Sequence, residues 1–470
     1  MTTDTQITTI KSLPTPKGHI LLGHLPQFQT PNKHQVLERW VEECGELFRI
    51  NFVGKELLVS ANAAVNSKIL KERPDTFKRL SKMNEILVEM GVDGVFNAEG
   101  DSWRRHRKPV AEALNAQKIK GFHHVLVNKT QSLLQKFEEY ASTKKEVDIR
   151  KDFMCFTIDI TTAIAFGYEI DTIHTNESDF QKHLEVIFPM INERITAPIP
   201  LWRYIKQKKD KKLEEAIQSI ETIIHRFINE TRQKLDENPL LKKQPSNFLE
   251  ALLTEEGGAQ FSDEEIYGNI FTMLLAGEDT TSNTISWIIY YLSQNPEMVT
   301  TIREEAIEVY GENEVSKTTQ ELAKLTYTNA VVQEAIRLKP TAPQLYLEAN
   351  EEVVVEGLLI PKGTKIIIQN KVAQTQEKYF TDADQFMPER WIKSKCPMHQ
   401  QHSPEVVKAF GGGARFCPGK YLAINEMLIL VSAICKNFNI TLAVAPKEVT
   451  EQFEFTMYPD NLKVQFTKRN

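Results

Sequence analysis

The stretch Phe410-Gly-Gly-Gly-Ala-Arg-Phe-Cys417-Pro-Gly-Lys-Tyr-Leu-Ala-Ile-Asn-Glu426 is a glycine-rich loop that feeds one cysteine into the start of an apolar helix. A cysteine at a helix N-terminus meets the positive end of the macrodipole and unpaired backbone N–H groups, and both stabilise a thiolate. Gly411, Gly412, Gly413 and Gly419 let the backbone turn sharply and come close to a flat partner. Arg415, two residues before the cysteine, is placed to reach an anionic group on that partner. Read alone, the same residues also describe a buried cysteine behind a glycine turn. A zinc site from Cys396, His399, His402 and Cys417 has irregular spacing that matches no common closed site.

Three further motifs lie outward from this loop. Phe271-Thr-Met-Leu-Leu-Ala276-Gly277-Glu278-Asp279-Thr280-Thr281-Ser282 falls mid-way along a predicted helix that opens on the capping box Ser262-Asp-Glu-Glu265 and ends just before Pro296. A glycine followed by Thr, Thr and Ser at its centre predicts a local break in the helical ladder, opening a polar groove. Glu334-Ala-Ile-Arg337 sets opposite charges on one helix face, with Pro388-Glu-Arg390-Trp391 following about fifty residues later. Gly100-Asp-Ser-Trp103-Arg104-Arg105-His106-Arg107-Lys108 puts Trp103 and Arg107 at i and i+4, a spacing that also suits a solvated basic helix.

The remaining pattern is mostly α with minor β. Short strands are predicted at Glu46–Phe52 and Glu56–Ser60, joined at Gly54-Lys55, and again at Glu352–Val355, Lys365–Gln369, Gln452–Met457 and Leu462–Phe466. Between them, helical periodicity fills Thr157–Phe166, Asp179–Arg194, Lys211–Lys234 and Ile266–Leu292. No internal repeat or long linker interrupts the 470 residues, so the expectation is one domain over 1–470, with 1–30 a Pro-rich strap. Fifty-seven Lys+Arg against 63 Asp+Glu leave a net charge of −6, which is not a nucleic-acid binder's balance. Five scattered cysteines without a Cys-x-x-Cys pair point to a reducing, cytoplasmic setting. No apolar run approaches the roughly 20 residues of a transmembrane helix.

The quoted motifs resemble those of the cytochrome P-450 superfamily. Phe410, Gly413, Arg415, Cys417 and Gly419 match its Phe-x-x-Gly-x-Arg-x-Cys-x-Gly heme signature, and all four motifs occur in the family's order across nearly the whole chain. The resemblance implies the cytochrome P-450 fold, with a long central helix over heme b and small β-sheets at the N-terminal and C-terminal portions. It makes Cys417 the axial thiolate of the iron, with Phe410 packed beneath it and Trp103, Arg107 and Arg415 as heme-propionate donors. Ala276 would lie against the cofactor, and Asp279 and Thr280 would be the acid–alcohol pair that passes protons to dioxygen. Glu334, Arg337 and Arg390 would form a buried structural network. Two departures stand out. Tyr346 and Leu347 occupy the positions where many members carry another propionate arginine, and Thr375-Gln376 replaces a frequent His-Arg pair.

The implied activity is that of a monooxygenase inserting one atom of O2, by hydroxylation or epoxidation, into a hydrophobic small molecule such as a fatty acid or terpenoid. Electrons would originate from NAD(P)H and arrive through a separate ferredoxin or flavodoxin-type donor with its reductase. A peroxide-dependent peroxygenase, or a non-oxygenating heme-thiolate enzyme or sensor, is the alternative on the same fold. Arg104, Arg105, Lys108 and Lys420 are candidates for a donor-docking patch, and the protein is expected to be a monomer without a transmembrane anchor. Pocket candidates by position are Leu87, Met90, Phe96, Phe188, Ile191, Ala342, Pro343, Leu345, Phe455 and Met457.

Overall fold

The structure, a computed structural model, describes residues 7–30, 32–175, 179–197, 199–254, 261–392 and 401–469. Its chain contacts divide into two compact units, each assembled from three segments. Residues 1–84, 334–417 and 451–457 make the first, and 85–333, 418–450 and 458–470 the second.

The first unit is built on a five-stranded sheet in the order Leu47–Phe52, Lys55–Ser60, Lys365–Gln369, Gln344–Ala349, Phe77–Arg79. The predicted hairpin forms with Leu47 opposite Ser60 and Phe52 opposite Lys55. Its turn is Val53-Gly54, both at positive φ (51° and 82°), a conformation whose twist suits a two-residue hairpin. Alternation along the strands separates two apolar clusters. Leu58, Leu347, Ile366 and Ile368 join one, packed with Ile69 and Phe77, while Leu57, Val59 and Ile367 join the other, packed with Leu37 and Trp40 of the helix Lys33–Cys44. A second, three-stranded sheet pairs Thr8–Thr9, Leu358–Ile360 and Val353–Val355.

Helices dominate the second unit. The most extensive helix packing is that of Asp263–Leu292 against Ile149–Phe166, both buried along most of their lengths. Close approach explains Gly277, since a Cβ there would lie 2.4 Å from Thr161 Oγ1. Gly268 is tighter still, its Cβ position 2.0 Å from the Asp93 carbonyl oxygen. The antiparallel strands Phe438–Leu442, Lys463–Lys468 and Val147–Asp148 complete this unit.

Two sequence expectations change. The segment 452–457 is not one strand: Thr450–Phe453 and Met457–Asp460 are separate, and Glu454 N–H donates to the Thr456 carbonyl in the turn between them. The helix Asp263–Leu292 runs as α without a break, because its central hydroxyls fold back onto the preceding turn instead of displacing it. Thr280 Oγ1 donates to Ala276 O at 2.8 Å, Ser282 to Glu278 O at 2.7 Å and Thr284 to Thr280 O at 2.8 Å.

Candidate active site

In the first unit the cysteine loop closes on itself. Cys417 N–H donates to Phe410 O at 3.0 Å, Phe416 N–H to Gly413 O at 3.2 Å and Gly411 N–H to Lys408 O at 2.8 Å. Gly413 sits at φ +63°, where a Cβ would stand 2.4 Å from Leu70 O and 2.8 Å from Lys71 Cα, so the loop can press against the end of the helix Ala63–Lys71 only with glycine here. Cys417 is half-buried and in no disulfide, and the helix that follows begins at Lys420.

Glu334, Arg337 and Arg390 meet in one fully buried cluster of this unit. Arg337 donates to both carboxylate oxygens of Glu334, at 2.9 and 2.7 Å, Arg390 Nε donates to Oε1 at 3.0 Å and Trp391 Nε1 to Oε2 at 2.8 Å. Two guanidiniums face one carboxylate, and the surplus positive charge is met by backbone carbonyls. Arg337 reaches Ala383 O at 2.7 Å and Gln385 O at 3.2 Å, and Arg390 reaches Thr381 O at 2.8 Å and Asp382 O at 3.1 Å. Every donor around the carboxylate is thereby paired, the condition under which buried ions are tolerated.

In the second unit the central helix begins at the expected capping box, in which Ser262 N–H donates to Glu265 Oε2 at 3.0 Å and Glu265 N–H to Ser262 Oγ at 3.3 Å. Within its long buried middle, Met273, Ala276, Gly277 and Thr280 stay partly or fully open, a single stripe at helical spacing. Behind that stripe, Asp279 lies 3.6 Å from Arg150 Nη2 and accepts from Asn283 Nδ2 at 2.8 Å. Arg150 is held in turn, with Nε donating to Asn283 Oδ1 at 2.8 Å and the guanidinium 3.9 Å above the Tyr458 ring. Glu278 is fully buried, and burial, then the charge of Asp279, push its pKa well above the usual carboxylate range. Burial likewise pushes Glu426 up to about 8, opposed by a hydrogen bond from Thr281. The sequence reading passed over Arg150, Glu278 and Glu426, since an arginine more than a hundred residues away carries no local signal of pairing with Asp279.

On the helix Gly100–Ala113, Trp103 is buried and Arg107 half-buried. Arg104 and Lys108 are exposed, but Arg105 is not free for docking: it pairs with Glu265 of the capping box and lies 5.1 Å over the Phe261 ring. His106 Nδ1 accepts from Asn269 Nδ2 at 2.6 Å, and burial followed by Arg105 lowers its pKa. Lys420 is half-buried.

Of the pocket candidates in the second unit, Leu87, Met90 and Ile191 have no open surface and Phe188 almost none, whereas Phe96 is half-open. In the first unit Pro343 and Met457 are buried and Ala342, Leu345 and Phe455 half-buried. Met457 N–H donates to Thr341 O at 2.9 Å, which sets its strand beside 341–343. Leu345 and Tyr346 belong to the strand Gln344–Ala349, an element the sequence reading missed, and Leu347 packs into the apolar core. Tyr346 accepts from Gln344 Nε2, and burial raises its pKa. Cys396 and His399 of the zinc reading lie outside the described residues. Among the described residues, His34, Glu38 and Glu451 lie close enough to share a metal, but Lys371 Nζ sits 2.8 Å from Glu451 and 3.0 Å from Glu38, and a cation is thus already supplied.

The mostly helical fold with small sheets matches a family profile over nearly the whole chain, and that membership makes the protein an iron-binding heme-thiolate monooxygenase, an oxidoreductase that incorporates oxygen. The chain belongs to the Cytochrome P450 family, whose profile matches residues 13–466. It is 26% identical over 437 residues to Protein LUTEIN DEFICIENT 5, chloroplastic, of Arabidopsis thaliana, covering 90% of this chain and 72% of that protein. It is 26% identical over 465 residues to the bifunctional cytochrome P450/NADPH–P450 reductase 2 of Bacillus subtilis (strain 168), covering 97% of this chain but only 43% of that longer protein. Cytochrome P450 4V2 of Homo sapiens is 24% identical over 482 residues, covering 97% and 89%. Among the described residues no helix is long and apolar enough to cross a membrane.

The residues present suit heme. In the first unit a half-buried cysteine sulfur on a glycine loop, with Arg415 two residues before it, is a donor set that suits an iron macrocycle with an anionic edge better than a closed tetrahedral ion.

Proposed function

We propose that the chain binds heme b through the Cys417 thiolate and inserts one atom of O2 into a hydrophobic small molecule of the fatty-acid or terpenoid kind. Trp103, Arg107 and Arg415 are assigned to the propionates, Phe410 to packing beneath the sulfur, Gly413 and Gly419 to the loop geometry, and Ala276 to the face of the cofactor. When bound, the heme supplies the one-electron and oxygen chemistry that no side chain can. The chain's own work is to hold the sulfur, exclude water and move protons. Thr280, on the open stripe of the central helix, presents a hydroxyl, and Asp279 behind it is the carboxyl that exchanges protons with it.

Electrons are assigned to an NAD(P)H-fed donor of the ferredoxin or flavodoxin type, docking near the exposed Arg104 and Lys108. The printed name of the Bacillus relative, which couples a cytochrome P450 to an NADPH–P450 reductase, supports an NADPH origin. The apolar, half-open side chains Leu345 and Phe455 of the first unit support a lipophilic substrate.

The observation that carries the reading is the Cys417 loop, closed by its own backbone bonds around a half-buried thiol. Its test is the visible spectrum of the reduced protein under carbon monoxide, beside Cys417→Ser. A Soret band shifted far to the red in the parent and lost in the variant is expected. A band at the histidine-ligated position would remove Cys417 as the ligand, and no band in protein expressed with heme would remove the reading.

A further inference from the structure

Asp279 and Glu278 are consecutive carboxyls in the middle of the central helix, and one guanidinium faces them. Arg150 is committed to Asp279, at 3.6 Å, while Asn283 bridges the two by donating to Asp279 and accepting from Arg150 at 2.8 Å each. Asp279 thus faces a cation and an amide N–H, partners that favour a carboxylate ready to take up a proton. Glu278 is its opposite: 0% exposed, with neither carboxyl oxygen hydrogen-bonded among the described residues. Isolating an ionised carboxylate in such a place is far more costly than isolating the neutral acid.

We propose that Glu278 is the proton reservoir of the central helix: a neutral carboxyl that resupplies the proton Asp279 passes on toward Thr280. The inference rests on the Asp279–Thr280 reading above and adds the acid that reading lacks. Side chains at i and i+1 diverge by about 100° on an α-helix, so the transfer runs through water and not by direct contact. The O–H bond of Glu278 breaks as an O–H bond forms on Asp279, and the vacated carboxylate takes a proton back from solvent.

The charged groups that face Glu278 are Asp279 on its own helix, Arg150 on the helix Ile149–Phe166 and Glu185 on the helix Asp179–Thr196. Two of the three are acidic, which disfavours a second negative charge and agrees with the raised pKa of Glu278. Glu185 is exposed and lines a groove of about 410 Å³ with Asp148, Asp152 and Gln181. Thr157 Oγ1 donates to the main-chain carbonyl of Glu278 at 2.9 Å, which ties the helix Ile149–Phe166 to the central helix at this turn. Glu278 touches none of the reacting groups and acts through Asp279, so it is a positioning residue.

The test has one arm independent of turnover. Infrared spectra of the resting protein at neutral pH are compared between the parent and Glu278→Gln, with Glu426→Gln, Asp152→Asn and Asp159→Asn identifying the other buried acids of raised pKa. A protonated-carboxyl band, shifted by D2O and missing only in Glu278→Gln, is expected; identical spectra would show Glu278 ionised and overturn the proposal. In the loaded enzyme Glu278→Gln should lower product formed per electron pair by at least about tenfold, less than the roughly 10²–10⁴ of a direct acid, with a larger solvent isotope effect and partial rescue by Glu278→Asp. Full coupling in Glu278→Gln, beside uncoupling in Thr280→Ala, overturns this inference alone. Full coupling in Thr280→Ala overturns the Asp279–Thr280 reading and this inference with it.

Discussion

Arg390 Nε donates to Glu334 Oε1 at 3.0 Å across 56 residues of sequence, with both side chains out of solvent. Removing Glu334 leaves Arg337 and Arg390 as two buried guanidiniums with no carboxylate. Glu334→Ala is expected to destabilise the protein by about 3–5 kcal/mol, read as a shift of the denaturant midpoint. A loss under about 1 kcal/mol would mean that the backbone carbonyls alone carry the two cations.

Gly413 combines a positive φ with a backbone neighbour where its side chain would go, while Gly412 is extended and its nearest neighbour would be an ordinary 3.4 Å contact with Leu70 Cβ. Gly413→Ala should cost about 1–3 kcal/mol and reduce heme retention, whereas Gly412→Ala should be close to neutral. Equal effects of the two, measured by unfolding and by the Soret absorbance per protein, would detach the loop argument from backbone geometry.

Thr280→Ala removes the hydroxyl on the open stripe but no core packing. Product per electron pair is expected to fall by about tenfold or more, with the electrons recovered as peroxide. Undiminished product yield would end the role assigned to Thr280.

Glu426, with its pKa pushed up to about 8, holds a proton in the folded state that the unfolded chain releases near 4.5. Between those values the folded state binds more protons, so its contribution to stability falls as pH rises, by up to about 1.4 kcal/mol per pH unit. Glu426→Gln should flatten the decline of thermal midpoint between pH 5 and 8. A parent whose midpoint rises through that window, with an identical slope in the variant, would show that Glu426 is ionised throughout.

Arg104 and Lys108 are exposed, and the ion partner of Arg104, Asp101, lies fully in solvent. Reversing both charges is expected to slow reduction by the donor protein at low salt while leaving the thermal midpoint in place. Arg105→Glu should behave differently, losing about 1 kcal/mol of stability because it sets a second carboxylate against the Glu265 cap. Equal reduction rates in the Arg104/Lys108 variant would move the docking surface elsewhere.

Local patterns were legible in the sequence because they rest on local physics. The capping box at Ser262, the hairpin turn beside Gly54 and the glycine loop ahead of Cys417 are each set by a few adjacent residues. The break expected at Gly277 was misjudged for an equally physical reason: Gly277 is there so that Thr161 can approach, and the neighbouring hydroxyls have i−4 carbonyls to bond. The strand Gln344–Ala349 was missed because its partners, Lys365–Gln369 and Phe77–Arg79, are recruited from two other parts of the chain.

By itself the sequence determined the family, the single candidate thiolate and the order of the motifs, since these depend on residue types at short spacings. Only the tertiary structure decided which charges are paired and which are withheld from water. Arg150 reaches Asp279 from another helix, Arg105 is spent on Glu265, and Glu278 is sealed without a partner among the described residues. Ionisation depends on burial and on the distance to the nearest opposite charge, and neither is written in residues that stand next to one another in the chain.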